Sequence, residues 1–253
     1  MLTVLEAAEL LRRFDHVLIL THVRPDGDTV GCAAALCAAL RALGKTAYLL
    51  PNPGLTDNTA PYFAPYAAPE GFVPERVVSV DIAARGLFPD NAQKYLPRVD
   101  LAIDHHPSQE FFAQRTCLDA GRAACGELMY DILRLLGPVT GDIATALYVA
   151  VSTDCGCFVY GNTTAATHRV AADLIDCGIP LSQLNKRHFR TKSIRRLRLE
   201  SAIIAGMQLY DQRTIAVAAL TLDMMAAVGA DERDAEDIAS LVGQLGGVKT
   251  SVT

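Results

Sequence analysis

The sequence predicts an α/β protein: an open, mostly parallel sheet flanked by helices, then a linker helix, then part of a second, smaller α/β domain. Three observations predict it. Short apolar runs alternate with helix-length segments over about 180 residues, the pattern that builds βαβ units with helices on both faces of a sheet. The apolar runs are continuous rather than alternating, as in strands covered on both faces. After residue 185 the composition shifts, with seven of the chain's 23 Lys and Arg falling in residues 186–198.

Taken in order, "MLTVLEAAELLRRF" reads as an amphipathic helix with Leu2, Leu5, Ala8, Leu11 and Phe14 on one side. "HVLILTH" (16–22) reads as a strand, and "VGCAAALCAALRAL" (30–43) as a helix of small residues stopped by Gly44. "TAYLLP" is a second strand, followed by a Pro/Asn-rich loop at 51–61. "RVVSVDIA" (76–83) and "VDLAIDHH" (99–106) are two more strands. "GELMYDILRLLG" ends at Gly137 with Pro138 behind it, a helix stop. "DIATALYVAVSTDCG" carries a helix that ends at Asp154, and "TTAATHRVAADLIDCG" a helix with Thr163 or Thr164 near its N-cap. "NKRHFRTKSIRRLRLE" is read as a basic linker helix over 186–202. "IIAGMQLYDQRTIAVAALT" reads as a hairpin turning at "DQR", "DERDAEDIASLVGQLG" as an acidic-headed helix, and "GVKTSVT" as a strand just beginning. The expected domains are 1–185, the linker 186–202, and 203–253, a second domain that stops unfinished at Thr253.

Composition narrows the partners. A net charge of −5 gives no global attraction to nucleic acid or membrane, so any polyanion binding must come from local patches. The amino terminus lacks the apolar core of a signal peptide, and no run reaches the length of a membrane span. Cysteines 32, 37, 117, 125, 155, 157 and 177 are scattered without zinc-ribbon spacing. Most read as reduced, buried small side chains, and the protein as cytoplasmic.

Chemistry-bearing residues close four segments. His22, Asp26 and Asp28 follow the first strand, Asp81 closes "VVSVD", Asp104-His105-His106 ends "LAID", and Asp154 follows "YVAVST". In an open parallel sheet the carboxyl ends of the strands line one crevice where ligands bind. So many carboxylates in one place repel, and divalent cations relieve that repulsion. A mixed carboxylate–imidazole set suits Mn²⁺ better than an all-oxygen Mg²⁺ or Ca²⁺ cage. The donors outnumber the needs of one ion and suit two. Singly, each residue has a plainer reading: Pro-Asp-Gly forms turns, and an isolated Asp caps helices. It is the joint occurrence that argues for a site. Arg122 and Glu127, flanking a helix start that lacks a capping hydroxyl, read as surface residues, and His16, His168 and His188 have no companions.

"THVRPDGDTVG", "VSVDIA", "AIDHH" and "STDCGCFVYGNTTAAT" resemble the four signature motifs of the DHH phosphoesterases, and within them the bacterial oligoribonuclease/pAp-phosphatase branch. The resemblance covers about residues 14–200 in order. It implies that His22, Asp26 and Asp81 hold one metal and that Asp28, Asp81, His105 and Asp154 hold the other, with Asp81 bridging. It further implies that His106 faces the scissile phosphate, with Asp104 orienting the histidines. Cys32 stands where the family often has Ser. The second domain would be of the DHHA1 type, without the glycine-rich substrate loop of relatives. The implied activity is hydrolysis of short oligoribonucleotides to mononucleotides and of 3′-phosphoadenosine 5′-phosphate to AMP, with two divalent ions, Mn²⁺ favoured, and a homodimer compatible. Arg187, Arg190 and Arg195 are candidate contacts to a substrate backbone. The alternatives are a cyclic- or linear-dinucleotide phosphodiesterase and, from another class, a metal-containing nucleic-acid-binding module without turnover.

Overall fold

The computed structural model describes residues 1–235 and 238–253, with the side chains of 232 and 233 left aside. It divides into two compact units, Met1–Phe189 and Arg190–Thr253.

The larger unit opens with α1 (Val4–Arg13), started by a capping box in which Thr3 and Glu6 satisfy each other's backbone amides. β1 (Val17–Leu20), α2 (Gly27–Ala42), β2 (Ala47–Leu49), the single turn α3 (Ala60–Phe63) and β3 (Arg76–Val80) follow. Then come β4 (Leu101–Asp104), β5 (Arg115–Leu118), α4 (Cys125–Leu136), α5 (Gly141–Asp154), α6 (Ala165–Asp176) and α7 (Leu181–Phe189). The five strands form one parallel sheet in the order β2-β1-β3-β4-β5, with Ile19 paired to both Leu49 and Val78. Strand order reverses between β1 and β3. There the loops leaving the two carboxyl ends diverge and open a crevice, the usual ligand position in such sheets.

Alternation along the strands splits the core. Val17, Ile19, Val78, Val80, Leu101 and Ile103 pack into one cluster with α1, α2, α4, α5 and α6. Leu18, Leu20 and Val77 face the other way, against Phe88, Ala92 and Val99. That second face is covered by 3-10 turns at Arg85–Leu87 and Asp90–Arg98 and by loops, not by the α-helices expected on both faces. Pro89 and Pro97 in this stretch break α-helical hydrogen bonding.

Within the helical layer α5 packs on α2 and α4, and glycines set the spacing. A Cβ at Gly31 of α2 would overlap the Ala146 carbonyl oxygen, and one at Gly126 of α4 would lie 2.8 Å from the Ala150 methyl. This close approach brings the carboxyl end of α5, and Asp154 with it, to the sheet's crevice.

Several elements were not foreseen. β5 is a four-residue edge strand that begins with Arg115, too short and too polar at its start to register as an apolar run. α7 lay inside segments read as loop and linker. The basic segment is two helices, not one over 186–202: α7 ends at Phe189 and α8 (Ile194–Gly206) starts after Ser193, whose hydroxyl caps the Arg196 amide.

The smaller unit continues with β6 (Gln208–Tyr210), β7 (Ile215–Val217), α9 (Leu222–Val228) and β8 (Thr250–Val252). Its sheet runs β6-β7-β8, antiparallel and then parallel. The expected hairpin turns at Asp211-Gln212-Arg213, all three at positive φ. The expected helix over "DERDAEDIASLVGQLG" is instead 3-10, at Glu232–Ala235 and Ile238–Gln244, and residues 236 and 237 of that expectation lie outside the described residues. Leu199, Ile203, Ala216, Ile238 and Val242 make the core of this unit. Among the described residues no helix is long and apolar enough to cross a membrane.

Candidate metal centre

The crevice between β1 and β3 gathers His22, Asp26, Asp28, Asp81, His105, His106 and Asp154, all named from the sequence. Their donor atoms form three overlapping sets: His22, Asp26 and Asp81; Asp28, His105 and Asp154; and Asp81, His105 and His106. Asp81 belongs to two of them through different oxygens. Its Oδ2 lies 3.9 Å from His22 Nε2, and its Oδ1 lies 3.5 Å from His105 Nε2.

Each side chain is aimed by its local structure. Asp26 is the N-cap of α2, its Oδ1 accepting from the amides of Asp28 and Thr29, so the turn-forming and donor readings of this residue are compatible. Asp28 sits on the first turn of α2, buried, with both oxygens accepting from the α4 amides of Gly126 (2.8 Å) and Cys125 (2.6 Å). The missing cap of α4 is therefore supplied 97 residues upstream. The Cys32 thiol donates to Asp28 Oδ1 at 3.3 Å, filling the place where a serine hydroxyl was expected. Asp81 follows β3 directly, at φ 57°, in the left-handed region that Asp tolerates better than most residues. Asp154 is the last residue of α5, so a helix rather than a strand delivers it, with the negative end of the helix dipole behind it.

The DHH triplet is held rigidly. Asp104 Oδ1 accepts from the amides of His105 and His106 and from His106 Nδ1 at 2.7 Å. His105 Nδ1 lies 3.2 Å from the Arg122 carbonyl. A carbonyl only accepts, so Nδ1 carries a proton, and in the neutral imidazole the Nε2 lone pair faces Asp81, Asp28 and Asp154 at 3.5, 3.9 and 3.8 Å. This is the tautomer a metal ligand requires.

The electrostatics is that of a site short of positive charge. Burial, then the carboxylates of Asp28, Asp26, Asp104 and Asp154, push Asp81 well above the usual carboxylate range. Burial, then Asp154 and Asp26, raise Asp28 likewise despite its amide partners. Burial also raises Asp154. His106 is raised chiefly by its bond to Asp104. Asp81 Oδ1 and His105 Nε2 are fully buried atoms without a hydrogen-bond partner. Two lone-pair-bearing atoms facing each other at 3.5 Å repel unless a proton or a metal cation lies between them. Ligands about 2.1 Å from one ion stand roughly 3.0–3.4 Å apart, so a small closure of this cluster fits the donor set to a metal.

Of Arg122 and Glu127, both expected at the surface, Glu127 is buried and Arg122 is only partly exposed. Glu127 is 1% exposed, accepts from the Thr167 hydroxyl and lies 3.9 Å from Arg122, which also pairs with Asp119 and Asp131. Three amides went unread in the sequence. Asn52 donates to Thr21 Oγ1 and the His22 carbonyl, Asn162 to the carbonyls of Ala123 and Asp154, and Gln109 to Asp104 and Ile82. Only Asn162 lay within a motif. Of the three candidate arginines, Arg187 is on α7, Arg190 begins the second unit, and Arg195 is tied to Asp234 at 2.8 Å within that unit.

Fold and donor set together define the class: an open α/β phosphoesterase with a divalent-metal site at its switch point. The chain belongs to the DHH family, whose N-terminal domain model matches residues 16–151. It is similar to the bifunctional oligoribonuclease and PAP phosphatase NrnA of Thermus thermophilus, 31% identical and covering 97% of this chain and 74% of that one. The Bacillus subtilis protein of the same name is 25% identical, with 96% and 80% covered. Among solved structures, an exopolyphosphatase-related protein from Bacteroides fragilis superposes with a TM-score of 0.85 at 21% identity, covering 97% of this chain and 77% of that one. A putative family II inorganic pyrophosphatase from Methanococcus jannaschii gives 0.54 at 16% identity, covering 89% and 76%. These two show the fold.

Proposed function

We propose that this protein hydrolyses short oligoribonucleotides to mononucleotides and 3′-phosphoadenosine 5′-phosphate to AMP, with two divalent ions, Mn²⁺ favoured. His22, Asp26 and Asp81 would hold one ion and Asp28, Asp81, His105 and Asp154 the other. The observation that carries the reading is Asp81, a buried carboxylate whose two oxygens face two separate donor sets and whose Oδ1 has no proton to accept. The relatives' names supply the substrates.

When bound, the ions supply Lewis-acid stabilisation of phosphoryl charge and acidify the attacking water. The remaining roles fall to the chain. The Arg122 carbonyl accepts from His105 Nδ1 and so holds the ring with Nε2 aimed inward. Asp104 pins His106 through Nδ1, leaving Nε2 as the ring atom able to meet a phosphoryl or leaving oxygen. The raised basicity that Asp104 confers favours a His106 charged on both nitrogens, suited to donate a hydrogen bond or a proton there.

The test uses metal-stripped protein with a labelled RNA trinucleotide and 3′-phosphoadenosine 5′-phosphate, with and without Mn²⁺. Mn²⁺-dependent release of mononucleotide or AMP is expected, and Asp81→Asn should lower it by about 10³-fold or more. Wild-type turnover in Asp81→Asn would exclude the bridging role. RNA binding with no turnover in the loaded wild type would point to a binding module.

A further inference from the structure

We propose that Gln109 is a positioning residue for this centre: it fixes Asp104, through Asp104 the ring of His106, and it ties that assembly to the backbone that carries Asp81. The proposal rests on the phosphoesterase reading above.

The argument is a count of hydrogen bonds. Asp104 is 1% exposed, so its carboxylate must find its partners inside the protein. Oδ1 is saturated by two backbone amides and His106 Nδ1. Oδ2 accepts from the Gln109 side-chain amide at 2.5 Å, the one side-chain bond the structure gives that oxygen. Without that amide, Oδ2 is a buried oxygen in need of a donor, and the carboxylate can satisfy it by rotating. Rotation releases His106 Nδ1, because the same Oδ1 holds the ring.

Gln109 Nε2 has a second proton, which goes to the Ile82 carbonyl at 2.8 Å. Ile82 follows Asp81, whose φ of 57° turns the chain sharply at the end of the strand, so the bond fastens the backbone beside that turn. Gln109 Oε1 accepts the Phe111 amide at 3.1 Å. The side chain thus spends both its donors and its acceptor on three segments: the end of β4, the second residue after β3, and its own loop. At 5% exposure it is enclosed by protein and acts through its partners. A primary amide fits the role, because one nitrogen must serve two acceptors while the same group accepts from the Phe111 amide. A carboxylate at this position would face Asp104 with like charge.

The test compares wild type with Gln109→Met, which keeps length and volume and removes the amide, and Gln109→Glu, which keeps the Phe111 bond and loses both donations. On the RNA trinucleotide with saturating Mn²⁺, each variant should lose tenfold or more in kcat, with KM and Mn²⁺ affinity within about twofold. In an Asp104→Asn background Gln109→Met should cost less than about threefold further, because the effect travels through Asp104. Proton NMR of the metal-free protein supplies a readout independent of turnover: the His106 Nδ1 proton held by Asp104 should give a downfield resonance in wild type that broadens or shifts in both variants. An unchanged kcat with only a lower Tm overturns the proposal, as does a full multiplicative loss in the Asp104→Asn background. Absence of turnover in wild type would overturn the phosphoesterase reading alone. The imidazole resonance would then decide for Gln109, and an unmoved signal would refute it.

Discussion

His188, one of the histidines without companions in the sequence, ends α7 with its Nε2 2.9 Å from the Tyr62 hydroxyl and its ring stacked on Tyr62. Burial, with a smaller contribution from Arg187, pushes it down to about 4. An unfolded histidine titrates near 6.5. Between those values the unfolded chain binds a proton that the folded chain refuses, so this residue's contribution is present above about pH 6.5 and is lost as pH falls toward 4. Allowing for solvent screening at a partly exposed ring, the loss is about 2 kcal/mol. In urea titrations at pH 7 and pH 4.5, His188→Phe should show a smaller acid-induced drop than wild type by roughly 1–2 kcal/mol. An equal drop would place the acid sensitivity elsewhere. At this scale legibility follows sequence locality. All seven clustered side chains could be named because each follows an apolar segment inside a recognisable run. Asn52, Gln109 and Glu127 could not, since their partners lie up to 31, 27 and 40 residues away and an isolated amide or glutamate leaves no local pattern.

Among the elements, the contact of α2 with α5 sets where Asp154 arrives. Gly31→Ala places a methyl group onto the Ala146 carbonyl, and overpacking of this kind costs about 1–3 kcal/mol. Gly86, which has open space around it and no positive φ, is the control: Gly86→Ala should change stability by less than about 0.5 kcal/mol. Thermal melts of the two variants check this, and equal Tm values would mean that α2 and α5 part easily. Strands and helices were legible here where apolar runs were long or caps explicit, as with Thr164, whose hydroxyl accepts the Thr167 amide, and Gly137 at the end of α4. They were illegible where an edge strand was short or glycines and prolines favoured 3-10 turns, as at 90–98 and 238–244. The basic run misled because charge composition says nothing about where a helix breaks.

For the whole molecule, strand order was beyond reach of the sequence, because it depends on which way each crossover turns, yet strand order is what places the donor segments around one crevice. The cluster also links stability to metal and pH. Asp28, Asp81 and Asp154 are raised in the metal-free fold. Their stabilising contribution is therefore complete below the ordinary carboxylate range and is lost as pH rises through their folded values. Cations that bind only the folded form relieve that loss. Mn²⁺ should raise the Tm of chelator-stripped protein by several degrees at pH 8 and by clearly less at pH 5. Calorimetry at the two pH values checks this, and an increment that shrinks with rising pH would contradict the charge assignment.

The bond from Asp28 to the amides of Cys125 and Gly126 has a kinetic consequence. Ala124 stands at the N-cap of α4 and makes no side-chain cap bond of its own. The first turn of α4 is therefore completed only when a segment 97 residues earlier in the chain meets it. Closing that span costs chain entropy before the contact can reward it. Asp28 holds the start of α4 as well as standing among the clustered donors, so the order in which distant segments meet, and not local helix propensity, governs when this end of the helix is made.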